Sequence, residues 1–290
     1  MLQDHPDIYM PAVKEPRFFA SDVRAPGGIG RTGTLEGYLS LFEPARADQR
    51  AGEATPLYLM SHTAASAIAE MQPAARIVGI FREPADFLRS LHLQFLQANL
   101  ETETDLATAI SLEDERRRGR NLPKRLRRAD RLMYSDYVRY VEQLRRYHAV
   151  FPSEQVLALV YDDFRNDNAA TVRKVLRFLD VDDTAPIELV EANPTVQVRS
   201  VFLNDLIRGL SVGRGSVGRA LNAGVKKLMP RSARHQALRV VNRRFVHGDP
   251  AAPDEGFMRE LRRRFKGEVV AFSEYLDRDL VSLWGYDRLD

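Results

Sequence analysis

The chain has 290 residues, a net charge of +3, 44% hydrophobic and 29% charged residues, the balance of a soluble globular chain long enough for one large α/β domain. No apolar run approaches the length of a membrane span, and the first residues carry no signal-peptide core, so a cytoplasmic location is expected. There is no cysteine, which excludes a disulfide framework, a thiolate zinc site and a cysteine nucleophile.

In chain order, Leu2 and the His5–Pro6 pair read as the end of a helix followed by a turn. Lys14-Glu15-Pro16-Arg17 stands directly against Phe18-Phe19. Exposed loops seldom carry two consecutive phenylalanines, so this pair is expected to anchor the loop and present Glu15 and Arg17 at its edge. Gly27 to Thr34 has the glycine spacing of a phosphate loop, but Thr34 stands where the lysine belongs and no strand precedes it. It reads instead as a loop ending at Thr34 as N-cap of a helix over 35–42, with Glu36 in the first turn. Residues 53–59 read as a strand and turn leading to a helix around 64–70.

Ile77-Val78-Gly79-Ile80-Phe81 is a short β-branched run, the pattern of a buried strand in a parallel sheet. Pro84 ends it and opens a helix with Phe87, Leu88, Leu91 and Phe95 on one face. Arg82 lies at the strand's C-terminal end and Ser90 two turns into the helix, where open α/β sheets bind ligands. Together they can hold one phosphate, or be an ordinary surface arginine and helix serine. Residues 101–131 are strongly charged and read as a solvated helical face. An amphipathic helix is expected over 134–147, a second buried strand over 155–161, and helices over 169–179 and 253–276. The order gives an α/β fold, a parallel sheet flanked by helices, in one domain over 1–290.

Charge is unevenly distributed. From Leu206 to Gly248 there are ten basic residues and no acidic one, so against a whole-chain +3 the remainder carries −7. This basic insertion, with helical patterns over 217–228 and 237–245, points to an anionic partner: nucleotide, acidic glycan, lipid headgroup or nucleic acid. It suits folding over the active site or peripheral contact with an anionic membrane.

HPDIYMPAVKEPRFFA, GEATPLYL, RIVGIFREPADFLRSLHLQF, YDDFRNDNAATVRKVLRFLDV and YLDRDLVSLWG, in this order and spacing, resemble the sulfotransferases that use 3′-phosphoadenylyl sulfate (PAPS). The similarity is greatest to the branch of heparan-sulfate N- and O-sulfotransferase domains and their bacterial relatives, and it runs from about His5 to Gly285. It implies sulfuryl transfer to a hydroxyl or amine of an acceptor such as a saccharide or glycolipid, with no metal and no nucleic-acid partner. It implies that Arg82 and Ser90 grip the nucleotide's 3′-phosphate and that Glu15 is the general base. Lys14 and Arg17 then orient acceptor or sulfuryl oxygens, and Tyr137 lies near the nucleotide. Glu53, Thr55 and Tyr58 match a mainly structural motif beside the active site. The family's 5′-phosphosulfate loop is expected one strand–loop–helix unit before His5, between strands that include 77–81 and 155–161. The resemblance thus implies a P-loop-type parallel sheet flanked by helices, with the first strand and phosphate loop expected to be missing from this chain. A non-catalytic relative and a nucleotide-dependent kinase stay open as alternatives, the kinase without a P-loop lysine or a pair of metal-binding carboxylates.

Overall fold

The computed structural model describes residues 1–23, 33–124, 126, 129–186, 197–198, 247–248 and 252–289. Near the N-terminus β1 (Ile8–Tyr9) pairs in parallel with β2 (Arg50–Ala51). The two apolar runs become β3 (Ile77–Phe81) and β4 (Val156–Val160), which pair in parallel from Ile77 opposite Val156 to Phe81 opposite Val160. Their direct ladder corrects the expectation of another strand between them: each satisfies the facing backbone groups of the other. β3 also departs from the expected fully buried strand. Gly79 and Phe81 face inward, while Val78 and Ile80 on the opposite face are 41% and 47% exposed. Side chains alternate across a strand, and a run of apolar residues does not reveal whether both faces are covered.

Helix α1 (Leu35–Leu39) starts as expected, with the Gly37 N–H donating to Thr34 Oγ1 at 3.1 Å. The segment read as a strand and turn over 53–59 contains instead a single 3₁₀ turn, Pro56–Tyr58, before α2 (Ala64–Met71). Pro56 cannot donate to a ladder and opens the turn. Helix α3 (Pro84–Gln97) begins at Pro84, and the Glu83 carboxylate accepts the Ala85 N–H at 3.0 Å. The helices α4 (Leu106–Ser111) and α5 (Glu113–Arg117) follow.

The helix expected over 134–147 is two helices, α6 (Tyr134–Tyr137) and α7 (Tyr140–His148). The break is held from both sides. The Gln143 side-chain amide donates to the carbonyls of Asp136 and Tyr137 at 2.9 and 3.1 Å, and Glu268 accepts the Val141 N–H at 2.9 Å. These partners satisfy groups that helix ends otherwise leave open. Then come α8 (Tyr161–Asn166), α9 (Asn168–Phe178), α10 (Glu255–Tyr275) and α11 (Leu280–Leu283).

The chain clusters into two compact units. The first comprises 1–85, 133–192 and 259–290 and holds both parallel strand pairs. Within it Ile8 is buried with Val172 and Leu176 of α9. Phe81 packs against Tyr140 and Phe272, with ring centroids 5.1 and 5.0 Å away. The second unit comprises 86–132 and 193–258, and includes an antiparallel pair, β5 (Gln197–Val198) with β6 (His247–Gly248). Its segment 101–131 is not a purely solvated face. Glu101 and Arg116 are 0% and 1% exposed and joined by two bonds of 2.7 and 2.9 Å. Arg116 also donates to the Ala109 carbonyl at 3.3 Å. Two opposite charges that bond each other in this way can be buried, and counting charges along a sequence does not show it. The basic segment 206–248, with its expected helices, lies outside the described residues except for 247–248, and so does the glycine-rich stretch 24–32.

Candidate active site

β3 and β4 end on the same rung, so the residues that follow them, Arg82 and Tyr161, emerge side by side at the C-terminal edge of the ladder. The Arg82 guanidinium lies over the Tyr161 ring, 5.2 Å from its centroid, a cation–π contact. The Arg82 carbonyl accepts the Tyr140 hydroxyl at 2.8 Å. Burial, first of all, pushes the Tyr140 phenol well above its ordinary range, so it stays a donor there.

The neighbouring Glu83 is buried and accepts the Ala85 N–H at 3.0 Å and the Tyr286 hydroxyl. At the end of β4, Asp162 accepts Trp284 Nε1–H at 2.9 Å, and Asp163 accepts two bonds from Arg278 at 2.5 and 2.7 Å. The Arg278 bonds are the largest cause holding the Asp163 carboxyl below its usual range. The ends of both strands are thereby pinned by one segment, 278–286.

The second group sits on the loop after β1. Arg17 Nη2 pairs with Glu15 Oε2 at 2.5 Å, both side chains being partly exposed. Lys14 is exposed beside them. As expected, Phe18 and Phe19 anchor the loop. Phe18 stacks on Tyr38 at 4.5 Å, and the buried Phe19 meets Tyr38 and Tyr58 edge-on at 5.2 and 5.8 Å. Glu15 and Arg17 have φ of +49° and +57°, values that non-glycine residues adopt at a cost.

Thr55 Oγ1 accepts the Arg17 N–H at 3.3 Å and donates to Glu53 at 2.8 Å. The Tyr58 hydroxyl accepts the Phe19 N–H at 3.5 Å and donates to Glu53 at 2.5 Å. Burial is the largest influence on the Glu53 carboxyl and pushes it above its ordinary value, against the lowering effect of Tyr58 and Thr55. The Arg17 Nε is shielded from solvent and has no hydrogen-bond partner.

One face of α7 serves both groups. Tyr140 bonds the Arg82 carbonyl, and Tyr147, seven residues on, bonds the Tyr58 carbonyl at 2.9 Å. Two helical turns separate these anchors by about 10 Å along the axis. Of the other expected residues, Ser90 is half-buried on α3 in the second unit, and the Tyr137 ring is buried in α6. Tyr161 and the segment 275–285 were read from sequence only as parts of the motifs that carry the resemblance, with no role assigned, and Tyr140 only as part of an expected helix. The signal for Tyr161 was available: an aromatic ending the second apolar run, opposite the arginine ending the first. Among the described residues no three His, Asp or Glu side chains converge as a metal site, and no helix is long and apolar enough to cross a membrane.

A family model described as the sulfotransferase family matches residues 36–185, just over half the chain, which carries both β3 and β4 and the Glu53–Tyr58 motif. The chain belongs to the sulfotransferase family. Among solved structures it is similar to a sulfotransferase from Alicyclobacillus acidocaldarius, at 23% identity and a TM-score of 0.64. That likeness covers 97% of this chain and 90% of the other, and it shows a shared fold. No curated protein sequence matches the chain.

Proposed function

We propose that the chain transfers the sulfuryl group of PAPS to a hydroxyl or amine of a carbohydrate or glycolipid. Membership of the sulfotransferase family supports sulfuryl transfer in general. The observation that supports the finer reading is the placement of a carboxylate and two cations on one loop edge: Glu15 and Arg17, paired at 2.5 Å and partly exposed, with the exposed Lys14 beside them.

In this reading Arg82, steadied on Tyr161, and Ser90 hold the nucleotide's 3′-phosphate. Arg17 and Lys14 orient the sulfuryl oxygens or the acceptor, with Tyr137 lining the nucleotide side. The acceptor oxygen or nitrogen attacks sulfur in line as the bond from sulfur to the bridging oxygen breaks. Glu15 takes the acceptor's proton, and the electron pair leaves with the 5′-phosphate. Sulfuryl transfer resembles phosphoryl transfer with less charge, so positioning and cationic stabilisation do most of the work.

The test uses PAPS carrying radioactive sulfur with three acceptors: an unsulfated heparan-type polysaccharide, a galactosyl glycolipid and a small alcohol. Label is expected in one of them, and Glu15→Gln is expected to lower turnover by about 10²–10⁴-fold with nucleotide affinity nearly unchanged. Full turnover in Glu15→Gln would remove it as the base.

A further inference from the structure

Two residues of the Glu15-Pro16-Arg17 loop hold a left-handed backbone conformation that non-glycine residues rarely adopt, so something must over-determine it. Phe18 and Phe19 fix the loop's far end, but aromatic packing alone does not set the direction of the amides before it. The donors and acceptors around Glu53 do. An ionised carboxylate only accepts hydrogen bonds. One oxygen takes the Thr55 hydroxyl proton at 2.8 Å, and the other takes the Tyr58 hydroxyl proton at 2.5 Å. Each hydroxyl thus has its single proton committed and turns a lone pair to the loop, towards the N–H groups of Arg17 and Phe19 at 3.3 and 3.5 Å.

We propose that Glu53 is a positioning residue for the reaction: through Thr55 and Tyr58 it locks the loop that aims Glu15 and Arg17 at the acceptor. The assignment rests on Glu15 being the base. Replacing Glu53 by glutamine breaks the polarity of the relay. The amide nitrogen must donate to one of the two hydroxyls, whose own proton then has no acceptor. Replacing Thr55 by valine keeps the volume of this buried residue and removes only the hydroxyl.

The experiment compares wild type, Thr55→Val, Thr55→Ser, Glu53→Gln and Glu15→Gln. It measures turnover with the acceptor that takes label, affinity for adenosine 3′,5′-bisphosphate, and amide exchange of a peptide spanning 15–20. Thr55→Val and Glu53→Gln are expected to lower kcat about 10²-fold, as a displacement near 1 Å would, and to leave nucleotide affinity unchanged. Their 15–20 amides are expected to exchange roughly 10-fold faster or more. Thr55→Ser, which restores the hydroxyl, is expected to recover both. Wild-type exchange and turnover in Thr55→Val would overturn the relay, and so would a Thr55→Ser variant as impaired as Thr55→Val, which would point to packing. Full turnover in Glu15→Gln overturns the base assignment instead, and the exchange measurement, which needs no acceptor, still decides the relay.

Discussion

Arg116 and Glu101 are almost wholly shielded from water, so each depends on the other for its charge. Removing one partner of such a pair leaves the other buried and uncompensated, which costs about 3–5 kcal/mol. Arg116→Met is therefore expected to lower the free energy of unfolding by that amount in urea titration, and a loss below about 1 kcal/mol would show that water reaches the pair. Glu53 behaves differently. Its carboxyl titrates above the ordinary value, chiefly through burial, with Tyr58, Tyr38 and Tyr147 as the titratable groups around it. Since the folded value exceeds the unfolded one, the group's contribution to stability increases as pH falls through that interval. The loop bonds need the ionised form, so kcat is expected to fall over the same interval. An acid limb in kcat without a matching loss of melting temperature, absent in Glu53→Gln, would show this. Parallel loss of both would indicate general unfolding.

At the scale of elements, the segment after α10 acts as a strap on the C-terminal ends of β3 and β4. It turns back where Ser273 Oγ donates to the Arg278 carbonyl at 2.6 Å and accepts the Leu280 N–H at 3.0 Å. It then reaches Asp163, Asp162 and Glu83 in turn, through Arg278, Trp284 and Tyr286. Arg278 and Asp163 are 36% and 45% exposed, so solvent screens the pair, and Arg278→Met is expected to cost only about 1 kcal/mol near neutral pH. Asp163 is held below its usual range, mainly by its bonds to Arg278. The pair's contribution is present above the ordinary carboxylate range and is lost as pH falls through the lowered folded value. The difference between wild type and Arg278→Met in chemical denaturation should vanish on acidification. A difference independent of pH would mean that the arginine acts through its aliphatic stem.

For the molecule as a whole, the part legible in sequence is the part dictated by local chemistry. Ile77–Phe81 ended where the structure ends it, because a β-branched run stopped by Pro84 leaves the chain few alternatives. Thr34 capped its helix for the same reason. The Phe18–Phe19 anchor was readable, but the left-handed φ of Glu15 and Arg17 was not, because the partners that impose it lie about 40 residues away in sequence. The Arg116–Glu101 pair and the strap were hidden likewise, since periodicity reports one element at a time. Family membership supports sulfuryl transfer in general, and the proposal that a nucleotide donates the group turns on recognition of its 3′-phosphate by Arg82, which lies over Tyr161 at the edge of β3 and β4. Calorimetric titration with adenosine 3′,5′-bisphosphate and adenosine 5′-monophosphate, for wild type and Arg82→Ala, tests this most directly. The wild type should prefer the bisphosphate, and Arg82→Ala should lose about 1.5–3 kcal/mol of that affinity while binding the monophosphate as before. Equal affinity of the wild type for the two nucleotides, or an unchanged titration in Arg82→Ala, would contradict it.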